Sequence, residues 1–146
     1  MDLNLSSAYS PKLVFLEQVD STNQYLIENA QLSETKWPDF SVVCAGQQTA
    51  GRGRNQRQWE SPAGASLSCS ILIRDPKGPA HWYGILLAMG LAESLKLQGA
   101  DAGLKWPNDV LVQDKKIAGV LGQSTTDFLL VGIGVNIQPV GIENSI

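Results

Sequence analysis

Residues 66–73 read SLSCSILI, in which Leu67, Cys69, Ile71 and Ile73 alternate with Ser66, Ser68 and Ser70. A period of two sends successive side chains to opposite faces of a strand. The segment therefore needs a sheet with one apolar face buried and the other wet or facing a site. Past the turn DPKGP, the run from Ala80 to Gln98 lacks proline, carries Leu87, Leu91 and Leu95 at intervals of four, and stops at Gly99. It is the strongest helix in the chain. KLVFLEQV reads as a strand and feeds DSTNQYLIENAQL, a polar cap followed by Tyr25, Leu26 and Ala30 at helical spacing. FSVVCAGQ is apolar and β-branched, a buried strand that delivers the chain into a Gly/Arg loop. LKWPNDVLVQDKKIAGVLGQS breaks at Pro107 and resumes as two short strands joined by the turn QDKK, and DFLLVGIGVNIQP closes as a strand ending at Pro139. Adjacent strand pairs with two helices predict an α+β domain, a mixed β-sheet with helices packed on it.

With 146 residues, 43% hydrophobic and 17% charged, the chain has the size and balance of one globular domain. Its net charge of -3 leaves no broad basic face, so neither nucleic-acid binding nor a membrane surface is expected. MDLNLSSAYS has no basic region ahead of an apolar core, and ILLAMGLA is too short to cross a bilayer, so the expected location is cytoplasmic. Cys44 and Cys69 lie in strand-like segments and read as core thiols rather than a disulfide or metal pair. The single His81 opens a helix, where a surface or capping role fits better than catalysis.

Three segments carry candidate chemistry. In QQTAGRGRNQRQW, Gly51 and Gly53 let backbone approach a ligand while Arg52, Arg54 and Arg57 offer forked donors to carboxylate or phosphate. The segment fails the dinucleotide fingerprint because Gln56 stands where a third glycine is required, and GIGVNI fails likewise at Ile137. In KWPNDVLVQDKKIAG, Lys105 and Lys116 supply point charges, and Asn108 and Asp109 add polar groups at a turn. In DSTN, hydroxyls and amides at a helix start can grip a small polar ligand. Taken singly, each has a plain structural explanation: a solvated basic turn, a hairpin with surface lysines, a helix cap.

Together, DSTN, QQTAGRGRNQRQW, SPAGASLSCSI, KWPNDVLV, KIAGVL and GIGVNI, in this order from about Phe15 to Asn136, closely resemble the catalytic domain of biotin protein ligases, the biotin–[acetyl-CoA-carboxylase] ligases. The resemblance implies a fold similar to class II aminoacyl-tRNA synthetases and lipoyl ligases. It also implies an ATP-dependent activity with Mg²⁺ brought in by the ATP phosphates and no certain metal site on the protein. Biotin would be adenylated to biotinyl-5'-AMP and passed to a lysine of a biotin carboxyl carrier protein. Ser21, Thr22, Asn23 and Gln48 match contacts to the biotin head group, Trp59 a wall of its pocket, and Gly51, Arg52, Gly53 and Arg54 the loop that closes over it. Lys116 matches the lysine that reaches carboxylate and phosphate, and with Arg54 it is the expected catalytic residue. Arg57, Lys105, Asn108, Asp109 and Asn136 match the ATP and adenylate side. Opposing a carboxylate and a phosphate needs fixed cations rather than a side-chain nucleophile, which suits a chain with no Ser-His or Cys-His pair in view.

The resemblance further implies that residues 1–146 are a biotin ligase-like catalytic domain. It leads us to expect no N-terminal DNA-binding domain, because only about fourteen residues precede the first strand, and no C-terminal part or small β-barrel domain. Pairing of two chains as a homodimer is left open. The alternatives are a truncated biotin-binding form with little ligase activity, and a lipoyl or octanoyl transferase of the same fold; GRGR and KWPND argue against the latter. An RNA-binding loop is disfavoured by the acidic balance.

Overall fold

The computed structural model describes residues 12–138. Nine strands and two helices follow one another: β1 (Leu13–Leu16), α1 (Thr22–Leu32), β2 (Val42–Ala45), β3 (Gln48–Arg52), β4 (Gln58–Ser61), β5 (Ser66–Ile73), α2 (Ala80–Leu97), β6 (Ala102–Lys105), β7 (Asp109–Val112), β8 (Lys115–Ser124) and β9 (Leu129–Asn136). Seven strands form one sheet in the order β1-β2-β5-β9-β8-β7-β6, and β3 and β4 form a separate hairpin. Only β1 and β2 run parallel, joined through α1; every other pair is antiparallel. The sheet is mixed and the fold is α+β, as the strand and helix periods predict.

Alternation along β9 explains the layering. Leu129 and Val131 point into a cluster with Ala88, Ala92, Val110, Ala118 and Val120 beneath α2. Leu130 points the other way, to Leu26, Ala30, Trp37, Val43 and Leu72 beneath α1. Burying a side chain such as Leu26 or Leu130, both fully inaccessible, contributes roughly 1.5–3 kcal/mol. Small residues set the close approach of α2. An added Cβ at Gly122 would come within 2.7 Å of the Ala80 carbonyl oxygen, and Gly84, Ala88 and Ala92 are the buried residues of the helix. Leu87, Leu91 and Leu95 flank that seam half-buried. Gly99, at φ +87°, supplies the left-handed residue that ends the helix, as its position in sequence suggests.

Three sequence expectations change. The Gly/Arg segment is a β-hairpin rather than an open loop, with a tight turn at Arg54–Gln56. Residues 102–105 form a strand, β6, that its sequence AGLK does not announce: it pairs with β7 at the sheet edge. The serine face of β5, expected to be wet or to face a site, is not wet, and its Ser70 turns toward the cavity-lining Thr22 and Asn23. Ser66, Ser68 and Ser70 are buried because hydrogen-bonding partners reach them: Ser61 Oγ lies 2.7 Å from Ser66 Oγ and 3.0 Å from Ser68 Oγ, while Ser70 bonds to α1. Left unpaired, each buried hydroxyl would cost roughly 1–3 kcal/mol. The strand KLVFLEQV narrows to β1, with Val19 making an isolated bridge to Gln48. The expected end of β9 at Pro139 lies outside the described residues, the strand itself closing at Asn136. His81 is exposed in the first turn of α2, as expected.

Candidate active site

On the α1 side of the sheet, the first turn of α1, the β3–β4 hairpin, the β6–β7 turn and the faces of β8 and β9 enclose a cavity of about 940 Å³. Ser21, Thr22, Asn23, Gln48, Arg52, Gly53, Arg54, Arg57, Trp59, Lys105, Asn108, Asp109, Lys116 and Asn136 all line it. Of the residues marked in sequence, Gly51 alone stays out of the lining. It lies buried in β3, where an added Cβ would fall 2.6 Å from the Trp59 carbonyl oxygen and 2.8 Å from Gln48 Nε2. Its role is to let the two hairpin strands and Gln48 close up.

The head of the cavity is a hydrogen-bonded relay. The Ser70 hydroxyl, fully buried, lies 2.7 Å from Thr22 Oγ1 and 2.5 Å from Asn23 Oδ1 and gives its single proton to one of them at a time. Thr22 in turn donates from both its backbone N–H, at 2.8 Å, and its hydroxyl, at 3.0 Å, to Gln48 Oε1. That oxygen is saturated, so the group Gln48 retains for a ligand is its amide donor, Nε2. Asn23 also bonds outward, Nδ2 donating to Gln123 Oε1 at 3.3 Å. Ser21 caps α1, its hydroxyl accepting from the Gln24 N–H at 3.4 Å. The same segment thus caps α1 and holds Gln48 in place.

Glycines make the floor. Gly119 and Gly134 are register partners on β8 and β9, and the Trp59 indole lies across them: a Cβ added at Gly134 would sit 2.3 Å from the ring, and one at Gly119 3.3 Å. A Cβ at Gly132 would sit 2.7 Å from Asn23 Oδ1. Among the described residues, Trp59 Nε1 and Asn136 Oδ1 are buried without a hydrogen-bond partner. A buried donor and acceptor left open cost stability, and both belong to residues of the cavity wall.

Cations gather at the other end. Lys116 Nζ pairs with Asp109 at 2.9 Å and stands 5.5 Å from the Trp59 ring centre. Arg54 ties the hairpin turn to the β6–β7 turn by donating to Asn108 Oδ1 at 3.2 Å, and Asn108 is itself held by donating to the Val120 carbonyl at 2.9 Å. Arg52, Arg57 and Lys105 are exposed at the rim. The partly exposed Lys116–Asp109 pair is worth no more than about 1 kcal/mol, so an incoming anion can take the ammonium without great cost. Sequence reasoning missed Gly119, Gly132, Gly134, Gln123 and Ser70. The glycines carried a signal in the repeated GIG and AG pairs within strands, where a missing Cβ marks close approach by another group.

Among the described residues no group of three or more His, Cys, Asp or Glu could hold a metal ion, and no helix is long and apolar enough to cross a membrane. A model of the biotin/lipoate A/B protein ligase family matches residues 15–138. The chain is 40% identical over 139 residues to the bifunctional ligase/repressor BirA of Escherichia coli, covering 90% of this chain and 42% of the relative. It is 37% identical over 133 residues to the biotin–[acetyl-CoA-carboxylase] ligase of Mycobacterium tuberculosis, covering 86% and 49%. Among solved structures, the biotin protein ligase from Aquifex aeolicus in complex with biotin and ATP superposes with a TM-score of 0.75 at 33% identity, over 93% of this chain and 56% of that one. The Helicobacter pylori biotin acetyl coenzyme A carboxylase synthetase with bound biotinylated ATP gives 0.73 at 30% identity, over 86% and 60%. The chain thus spans under half the length of these two curated relatives.

Proposed function

The chain belongs to the biotin/lipoate A/B protein ligase family, and from that premise we propose that its cavity binds biotin and ATP and supports formation of biotinyl-5'-AMP. The observation that carries this reading is the convergence of a polar head relay, an indole wall and a cluster of cations in one cavity. Biotin has the matching parts: a ureido ring, an apolar thioether ring and chain, and a carboxylate. The Gln48 amide donates to the ureido oxygen, with its orientation fixed by Thr22 and Ser70. Asn23, whose oxygen accepts from Ser70 and whose nitrogen donates to Gln123, serves chiefly to position that relay.

The biotin carboxylate attacks the α-phosphorus of ATP and pyrophosphate leaves. Two anions must meet, so fixed positive charge lowers the barrier where charge develops. Lys116 and Arg54 are the catalytic residues in this reading: Lys116 leaves Asp109 for the carboxylate and α-phosphate oxygens, and Arg54 holds the hairpin over the anhydride. Arg52 closes beside it, and Arg57, Lys105, Asn108, Asp109 and Asn136 attend the nucleotide. Mg²⁺ would be held through the ATP phosphates, with Asp109, the carboxylate beside Lys116, in reach to support it. Bound there, it would neutralise phosphate charge. In the whole enzyme, transfer to a carrier follows when a lysine amine attacks the mixed anhydride and AMP leaves. The biotin carboxyl carrier protein is the partner this chemistry calls for.

The test is pyrophosphate release from ATP and Mg²⁺ on addition of biotin, with lipoate as the parallel substrate. Release with biotin and not with lipoate is the expected result. Release with lipoate alone would assign the site to lipoyl chemistry.

A further inference from the structure

On the other face of the sheet, away from the cavity, Cys44 of β2 stands directly opposite Cys69 of β5 in antiparallel register. Both are free thiols. The kind of pair follows from the hydrogen bonds of β2. The Val42 N–H donates to the Lys12 carbonyl and the Gly46 N–H to the Leu16 carbonyl, so the even-numbered residues of β2 direct their backbone groups toward β1. The Leu72 N–H donates to the Ser41 carbonyl, so the odd-numbered residues face β5. Cys44 and Cys69 are therefore a non-hydrogen-bonded pair, the type in which Cα atoms approach to about 4.5 Å and side chains lie closest. That spacing falls within the range of about 4.4–6.8 Å that a disulfide spans.

Their surroundings leave a way in. α2 packs chiefly over β6, β7, β8 and β9. Cys44 is buried, but Cys69 is only partly so, and Phe15, the register partner of Cys44 on β1, is 44% exposed. We propose that Cys44 and Cys69 form a vicinal dithiol modification site that a peroxide closes to an intrachain disulfide across β2 and β5. One thiolate attacks a peroxide oxygen, the O–O bond breaks and hydroxide leaves, giving a sulfenic acid. The second sulfur then displaces that hydroxyl as water, its own proton passing to solvent. Two thiols and one peroxide become one disulfide and two waters. The thiols already interact: Cys69 donates toward Cys44, which holds the Cys44 thiol below its usual range, while that contact and burial push Cys69 up. Such a polarised pair favours a thiolate beside a ready partner. Soft reagents that take two thiols at once, such as trivalent arsenicals, would bind the same pair.

The experiment treats the native chain with hydrogen peroxide, then denatures it, alkylates free thiols and maps peptides without reduction. The expected result is loss of both alkylatable thiols together and a linked pair of peptides containing Cys44 and Cys69, restored to two thiols by a reductant. In Cys44→Ser, Cys69 should instead yield higher oxides or remain a thiol. Two thiols surviving in the wild-type chain, oxidation of one alone, or a disulfide only between two chains would each overturn the proposal. The thiol count on the wild-type chain stands whether or not the variant folds.

Discussion

Gly134 and Gly119 face each other across β8 and β9, and the Trp59 indole occupies the space their side chains would fill. A single methyl group there should act on the site more than on the fold. Gly134→Ala should lift the indole and lower biotin affinity at least tenfold, about 1.4 kcal/mol, which calorimetry and Trp fluorescence can follow; unchanged affinity would show that the indole does not form the wall. Lys116 makes the complementary case. Its charge matters most when carboxylate and phosphate oxygens meet, so Lys116→Ala should slow pyrophosphate release by about a hundredfold or more while changing biotin affinity far less. Equal losses in rate and affinity would make it a ground-state contact only. Much of the cavity lining was legible in sequence, because Ser21, Thr22, Asn23, Gln48, Arg52, Arg54, Arg57, Trp59, Lys105, Asn108, Asp109, Lys116 and Asn136 stand out there and all line it. Ser70 was not. A serine alternating with apolar residues looks like a wet face until the chain brings Thr22 and Asn23 over it.

At the scale of elements, turn chemistry was easier to read than strand pairing. QDKK announced the β7–β8 hairpin, and the structure places Gln113 at φ 50° and Asp114 at φ 62°, a two-residue turn of the left-handed kind. Neither residue suits that region as well as Asn-Gly. The double variant Gln113→Asn with Asp114→Gly should therefore stabilise the chain by about 1 kcal/mol and raise Tm by roughly 2–4 °C; a lowered Tm in thermal unfolding would contradict the turn assignment. β6 escaped sequence reading because AGLK has no alternation to betray it, and only its pairing with β7 makes it a strand. The β3–β4 hairpin escaped because its arginines and glycines suggest a loop. Its pairing rests on Gly51, which lets the strands and Gln48 come together. That hairpin forms one wall of the cavity, joined to the β6–β7 turn through Arg54 and Asn108.

Across the whole molecule, one sheet serves two purposes. Its α2 face is apolar where the helix covers it, built from Val, Leu and Ala packed beneath the helix, and partly open at Cys69 and Phe15. Its α1 face divides into a core beneath α1 and a polar, glycine-floored cavity. The class of fold was legible because hydrophobic period distinguishes strand from helix. The order of strands was not, since β5 and β9 meet from opposite sides of α2 in the chain. The central claim is that the cavity is a biotin site, and calorimetric titration of the native chain with biotin, and separately with lipoate, tests it most directly. One biotin should bind per chain with saturable heat, binding should be lost or much weakened in Thr22→Val, which removes the hydroxyl between Ser70 and Gln48, and lipoate should give little heat. No saturable heat with biotin, or affinity for lipoate equal to that for biotin, would contradict the assignment.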